Sequence, residues 1–162
     1  MSLTIRPALA ADAEAVWAVI GPAIRGGEVY TIPRDQSPED ATAAWLGGDY
    51  TPFLAERDGV IVGSYYIRPN QTGGGGHVAN AAYATAPEAA GKGMGRAMGE
   101  HSLAQAKGAG FTAMQFNFVV STNRSAVHLW QAIGFEVVGR LPGAFRRPCG
   151  TEVDALVMYR KL

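Results

Sequence analysis

The sequence has one cysteine, three histidines and no long apolar run, and each scarcity removes a class of function. Cys149 alone cannot form an internal disulfide, so the fold is not stapled, which suits a reducing compartment. His77, His101 and His128 stand at no metal-ligand spacing with cysteine or carboxylates, so no metal is expected. No stretch is apolar for long enough to span a bilayer, and Met1-Ser-Leu-Thr-Ile-Arg6 lacks the apolar core of a signal peptide. The expectation is a cytoplasmic protein with no membrane partner. Charge of one sign is missing too: 14 basic and 14 acidic residues cancel, unlike the basic footprint of a nucleic-acid binder. Neither repeats nor domain-scale linkers occur, and residues 1–162 fit one domain able to bury a sizeable core.

Glycine is what the chain has instead, and one glycine-rich stretch organises the rest. In His77-Val-Ala-Asn-Ala-Ala-Tyr-Ala-Thr-Ala-Pro-Glu-Ala-Ala-Gly-Lys-Gly-Met-Gly-Arg-Ala-Met98, a small-residue strand ends at Pro87 and a helix pattern opens near Gly93. Gly91, Gly93 and Gly95 remove three Cβ atoms from the turn between them, so an anion can approach the backbone. Free N–H groups and the helix dipole favour a phosphate there.

Around it the chain alternates short elements. Residues 3–6 predict a first strand, and Asp12 is placed to cap a helix with Ala13, Val16, Trp17, Ile20 and Ile24 on one face. An irregular stretch, Gly26-Gly-Glu-Val-Tyr-Thr-Ile-Pro33, follows. Ser37-Pro38-Glu39-Asp40 opens a second helix that ends near Gly47. Asp58-Gly59 marks a hairpin between strands at 52–57 and 60–68. Gly73 to Gly76 read as a flexible loop, since no helix follows them. The helix from Gly93 has Met94, Ala97, Met98, His101 and Ala104 on one side and Leu103 and Ala106 opposite, so both sides should be partly covered. Strand 112–120 sets Met114, Phe116, Phe118 and Val120 against Gln115 and Asn117. A helix from Asn123 carries the core stripe Ala126, Leu129, Trp130 and Ile133 and stops at Gly134. Strands at 135–140 and 152–160 close the chain around a loop holding Pro142, Arg146, Arg147 and Pro148. Only two strand pairs are joined by a single helix, which excludes a fully parallel doubly wound sheet and predicts an α/β fold with a mixed sheet and helices on both faces.

Three phosphate-binding patterns compete for the central turn. A P-loop fails, because Gly91-Lys92-Gly93 is followed by Met94 and its first glycine is misplaced. A dinucleotide fingerprint fits poorly, since the glycines run Gly-x-Gly-x-Gly and strand 112–120 carries no acid for a ribose. The third is a resemblance. Ala90-Gly-Lys-Gly-Met-Gly95 resembles the Arg/Gln-x-x-Gly-x-Gly/Ala motif of the GCN5-related N-acetyltransferases (GNAT). Asn123-Arg-Ser-Ala-Val-His-Leu-Trp-Gln-Ala-Ile-Gly-Phe135 resembles their next motif, Asn-x-x-Ala-x-x-Leu-Tyr-x-x-x-Gly-Phe, at the family's usual separation.

The resemblance implies a GNAT fold across nearly the whole chain: a mixed sheet of about seven strands, splayed between the fourth (77–86) and fifth (112–120), with about four helices. It implies acetyl-CoA as co-substrate and no metal. The pyrophosphate would lie on the N–H groups of Gly91, Lys92, Gly93, Met94, Gly95 and Arg96. The pantetheine arm would pair with backbone groups of Tyr83, Ala84 and Thr85, and Asn123 would bond the arm or cap its helix. Two residues depart from the family pattern. Ala90 replaces the opening Arg or Gln, which leaves the backbone donors in place. Trp130 replaces the tyrosine that often protonates the leaving thiolate, and an indole is no practical general acid.

A finer resemblance concerns the acceptor. His77-Val-Ala-Asn-Ala-Ala-Tyr83, Phe116-Asn-Phe-Val119 with Thr122-Asn123, and Val153-Asp-Ala155 look like fungal acetyltransferases of the proline analogue azetidine-2-carboxylate. It implies an amino acid or proline-like imino acid as acceptor, with Asn80 and Asn117 touching it at the reaction centre. Tyr30 would line its wall, and Glu28 would pair the amine or act as base through water. Arg68, Arg146 or Arg147 could hold a carboxylate. A protein or peptide acetyltransferase and a non-catalytic CoA-binding domain are the alternatives. The partner expected is a small-molecule amine, with a homodimer left open.

Overall fold

Alternating burial on the strands and one-sided burial on the helices leave few ways to assemble this chain, and the structure, a computed structural model, describes residues 2–162. In chain order it runs β1 (Leu3–Pro7), α1 (Ala13–Gly26), α2 (Pro38–Leu46), β2 (Thr51–Arg57), β3 (Val60–Pro69) and β4 (Val78–Thr85). Then come α3 (Met94–Gly108), β5 (Ala113–Val120), α4 (Arg124–Ala132), β6 (Glu136–Arg146) and β7 (Glu152–Lys161). The seven strands form one sheet in the order β1-β2-β3-β4-β5-β7-β6. Every neighbouring pair is antiparallel except β4 and β5, which are parallel. This is the mixed α/β sheet expected from the sequence.

The two faces follow from strand parity. Ser64 and Tyr65 are neighbours on β3, so their side chains leave opposite faces. Ser64 accepts a hydrogen bond from Trp45 of α2, whereas the Tyr65 hydroxyl meets His101 of α3 at 2.6 Å. Helices α1 and α2 therefore cover one face and α3 and α4 the other. On the first face Val16, Val19, Ile20 and Ile24 of α1 are at most 2% exposed, each side chain contributing about 1.5–3 kcal/mol on burial. On the second face, burial on α3 falls on Met94, Met98, Gly99, Ser102 and Ala106. Burial of Met94, Met98 and Ala106, with Leu103 partly covered, follows the two-sided pattern, whereas Ala104 is exposed and Gly99 and Ser102 are buried as well, small residues letting α3 settle close to α4.

The central pair does not stay zipped. Registered pairing of β4 with β5 is limited to Val78 with Ala113 and Ala79 with Met114. Beyond those residues the strands diverge.

Several boundaries depart from expectation for local reasons. Ser37 caps α2 as predicted, accepting from the Asp40 N–H at 3.1 Å. Asp12 stands at the start of α1, but its carboxylate accepts from the Leu9 N–H at 2.7 Å and pairs with Arg6, so it does not cap α1. Gly73–Gly75 form one 3-10 turn, not an open loop. An irregularity between Phe116 and Val119 breaks the predicted alternation in β5, so Val119 is buried and Phe118 only half-buried. Likewise β6 continues through Pro142 to Arg146, because a register shift between Leu141 and Phe145 absorbs the proline.

A buried relay ties α2 to the sheet. Trp45 Nε1 donates to Ser64 Oγ at 2.9 Å, and Ser64 Oγ donates to the Phe53 carbonyl at 2.8 Å. Replacing Ser64 with Ala leaves a buried indole N–H without its acceptor, which costs about 1–3 kcal/mol. Urea denaturation should show that loss for Ser64→Ala, and Trp45→Phe should cost less in the Ser64→Ala background than alone.

Candidate active site

The glycine turn lies where β4 hands over to α3. A short turn at Pro87–Ala89 follows β4, and Gly91 and Gly93 then take φ of +72° and +81°. Side chains rarely adopt that conformation, and nothing lies within 4 Å of a Cβ built at either position. Gly93 stands at the start of α3, the only helical bond to it coming from Ala97 N–H at 3.1 Å. The first N–H groups of the helix, Met94, Gly95 and Arg96, thus point out of the turn unpartnered by the helix itself. Gly95 is small for a different reason than expected: a Cβ there would sit 3.0 Å from Leu129 Cδ2, so its missing side chain serves α3–α4 contact. Lys92 is exposed, with its carbonyl accepting from Arg57 at 3.4 Å, and Arg96 pairs with Glu100 at 2.9 Å.

The parted strands expose backbone. Asn70 N–H bonds to the Val78 carbonyl and Ala86 N–H to the Val62 carbonyl, which turns the even-numbered residues of β4 toward β3. The odd ones, Ala81, Tyr83 and Thr85, therefore direct their amides and carbonyls into the gap. Of the three residues expected to pair with a pantetheine arm, Tyr83 and Thr85 face the gap, whereas Ala84 is committed to β3 opposite Ser64. The Tyr83 carbonyl already accepts a hydrogen bond from the Tyr30 hydroxyl. Burial raises the Tyr30 phenol well above its ordinary value, so it stays a neutral donor.

The gap opens into a cleft of about 310 Å³ between residues 29–32, β3, β4, β5 and α4. Asn80 and Asn117 both line it, as do Tyr30 and Asn123. Asn80 is 8% exposed; its Nδ2 donates to the Gln115 carbonyl at 3.0 Å and its Oδ1 accepts from Arg68 Nε at 3.3 Å. Asn117 Oδ1 accepts from Gln115 Nε2 at 2.9 Å, and its Nδ2 donates to Asn70 Oδ1 at 2.7 Å. Asn123 precedes α4 without capping it; its side chain accepts only from Ser125 Oγ, at 3.3 Å.

Glu28 is set apart from this group. Its carboxylate is held by Arg147 Nε at 2.8 Å, tying the stretch after α1 to the β6–β7 turn, and it does not line the cleft. Tyr83 is no proton donor to the cleft. Ser102 Oγ donates to the Gly99 carbonyl at 2.7 Å, which leaves the Tyr83 hydroxyl to donate to Ser102 Oγ at 2.7 Å, and burial raises the phenol well above its ordinary value. Trp130 is 7% exposed and lies against Tyr83 and Phe116, at centroid distances of 4.6 and 4.9 Å. A Cβ on Gly99 would stand 3.0 Å from its Cζ3, so the indole occupies room that this glycine leaves. His101 packs on Phe53 and Tyr65, and burial lowers its basicity. Among the described residues no group of three His, Cys, Asp or Glu could hold a metal.

Sequence reasoning missed the aromatic wall. Trp45 reads as a core residue and is one, yet with Tyr66 it also borders the cleft. Tyr66 stacks on Tyr50 at 4.3 Å and meets Trp45 edge-on at 4.8 Å. The signal was available in parity, since Tyr66 and Arg68 are two apart on one strand and leave the same face.

Comparison with known proteins accounts for this arrangement. The family model described as "Acetyltransferase (GNAT) family" matches residues 25–135. The chain is 38% identical to a GCN5-related N-acetyltransferase from Kribbella flavida, covering 99% of this chain and 98% of that one with a TM-score of 0.92. It is 33% identical over 86 residues to "N-acetyltransferase aca1" of Schizosaccharomyces pombe, a match that spans 53% of this chain and 41% of that protein. A phosphinothricin acetyltransferase from Sinorhizobium meliloti, solved with AcCoA, shares the fold at 23% identity and a TM-score of 0.88, over 100% of this chain and 89% of that one. The glycine turn and the parted strands both lie inside the matched region, and the chain belongs to the Acetyltransferase (GNAT) family.

Proposed function

We propose that this chain transfers an acetyl group from acetyl-CoA to the amine of a small molecule, an amino acid or a proline-like imino acid. The observation that carries the reading is the parting of β4 from β5. It places the gap-facing backbone of Tyr83 and Thr85 between a glycine turn with free N–H groups and a cleft lined by Asn80 and Asn117. The open positive-φ turn at Gly91 and Gly93 suits a pyrophosphate, which the stretch from Gly91 to Arg96 would hold through its backbone donors apart from the Lys92 N–H, already bonded to the Ala89 carbonyl at 3.3 Å. Acetyl-CoA would supply an activated thioester. The chain's own part is to align an uncharged amine with it and to set a backbone donor near the carbonyl oxygen.

Three roles in the cleft go with this reading. Asn80 and Asn117 orient the acceptor through whichever amide atoms their present partners leave free. Tyr30 closes one wall and shares the Tyr83 carbonyl. Glu28 lies outside the cleft, next to the lining residue Val29, and would act as base only through water. The volume of the cleft suits a small acceptor better than a peptide. Trp130 at the usual proton-donor position favours a second reading, a CoA-binding domain without transfer.

Thiol release from acetyl-CoA, followed over a panel of amino acids, imino acids and short peptides, separates these readings. Release with single amino or imino acids is expected. Release with peptides alone favours a protein acetyltransferase, and tight coenzyme binding with no release favours the non-catalytic domain. Asn80→Ala should raise the acceptor KM about tenfold with coenzyme affinity retained. Equal losses for both ligands would instead mean that the strands had lost their spacing. If Glu28 is the base, Glu28→Gln lowers kcat by about 10²-fold or more while Arg147→Ala, which keeps the carboxylate, does not. Equal losses in the two variants would reduce Glu28 to a loop tie.

A further inference from the structure

The cleft has a charge with no carboxylate partner among the described residues. Among the described residues Arg68 is the one ionisable residue of full charge lining it; the other lining groups are apolar, amide, hydroxyl or phenol. Five arginines elsewhere have a carboxylate: Arg6 with Asp12, Arg96 with Glu100, Arg140 with Asp154, Arg146 with Glu152 and Arg147 with Glu28. Arg68 has none among the described residues, and it is half-buried. Of the three arginines that the sequence offered for a carboxylate, the other two are thus already paired.

Its surroundings fix it in place without neutralising it. Nε donates to Asn80 Oδ1 at 3.3 Å, and the guanidinium lies 5.0 Å over the ring of Tyr50. Tyr50 in turn stacks on Tyr66, whose phenol burial pushes up to about 12, so the Tyr66 ring supplies no anion near neutral pH. With Nε and one ring face occupied, the two terminal Nη groups remain as a planar pair of donors. That fork matches a carboxylate in a bidentate manner.

The anion is not the coenzyme's pyrophosphate. Arg68 pairs in register with Asn80, near the start of β4, whereas the glycine turn follows its end. The five residue steps from Asn80 to Thr85 amount to about 17 Å of strand. An anion at Arg68 is therefore at the acceptor end of the gap.

We propose that Arg68 is the specificity-determining residue for the acceptor, binding its carboxylate, with Asn80 as the positioning residue that orients the guanidinium. The site then takes an α-amino or imino acid in preference to the same amine without a carboxylate. This rests on the acetyl-transfer reading for the identity of the ligand, but its test does not require turnover.

Calorimetric titration of the protein saturated with coenzyme A would compare N-acetyl-L-proline with N-acetylpyrrolidine, and N-acetyl-L-alanine with N-ethylacetamide. In at least one pair the acid should bind about 10- to 100-fold more tightly than its neutral partner, the range for a charge-assisted hydrogen bond. Arg68→Gln should bring that ratio close to one, and Arg68→Lys, which keeps the charge but not the fork, should fall between. Retained coenzyme A affinity in each variant shows that it is folded. Wild-type protein that binds neither acid more tightly than its neutral partner overturns the proposal, as does an unchanged ratio in Arg68→Gln. Absence of thiol release together with the Arg68-dependent ratio would remove the transfer reading and leave the carboxylate site standing.

Discussion

The whole arrangement depends on a parallel pair of strands that separates after two registered residue pairs. A strand pair that opens inside a sheet leaves amides and carbonyls without ladder partners, and each buried orphan costs about 1–3 kcal/mol. The chain meets this cost with side chains. Asn80 reaches across to the Gln115 carbonyl at the point where pairing stops, and the Tyr30 hydroxyl takes the Tyr83 carbonyl further along. Remaining gap-facing groups on β4 stay available to an extended ligand, as an edge strand would be. The same parting that weakens the sheet therefore creates a backbone-lined slot.

Keeping the slot open needs rigid material on the far side, and the aromatic cluster supplies it. Phe116 stacks on Phe135 at 4.3 Å, and Trp130 packs against Phe116 and Tyr83. These contacts tie β4, β5 and α4 together on the face away from α1. Gly99 completes the cluster by omission, since any larger residue would meet Trp130 and Ile133 at 3.0 Å. Tyr83 ends in a hydrogen-bond chain through Ser102 to the Gly99 carbonyl, which fixes the ring of a residue whose backbone faces the slot. Wall position is thus set by packing at native density, with Trp130 filling the volume of the family's usual tyrosine.

Element order was legible from local signals because those signals are local physics. Ser37-Pro38, Asp58-Gly59 and the turn before Met94 each dictate backbone conformation within a few residues, and the structure follows all three. What could not be read was which partner, near or distant in sequence, a residue takes once the sheet is assembled. Asp12 has a cap residue's chemistry, but Arg6 and the Leu9 N–H claim its carboxylate. Pro142 falls in the loop expected after residue 140, yet β6 is an edge strand that a register shift carries past it. Gly95 reads as part of an anion cradle, but its missing Cβ faces Leu129. In the site, the glycines located the turn and the family resemblance implied the gap, whereas Glu28's tie to Arg147, 119 residues away, and the unpaired charge of Arg68 among the described residues emerge only from the assembled sheet.

The absence of a tyrosine at position 130 bears on how such a cleft would work. Tyr30, Tyr66 and Tyr83 all have phenols raised by burial, and the first and last are engaged as donors to groups of the fold itself. None is placed to release a proton at neutral pH. A thiol with pKa of about 8.5 leaves tolerably as the thiolate, so the chemistry does not demand such an acid. What it does demand is an uncharged amine held beside the thioester, and effective molarity from alignment is large enough to carry most of the acceleration. A cleft whose one full charge among the described residues is a cation repels a protonated amine and favours the neutral form near that charge. On the proposed reading the same arginine would attract a carboxylate on the acceptor, and a site that sorted amine and carboxylate in this way would need few groups that titrate.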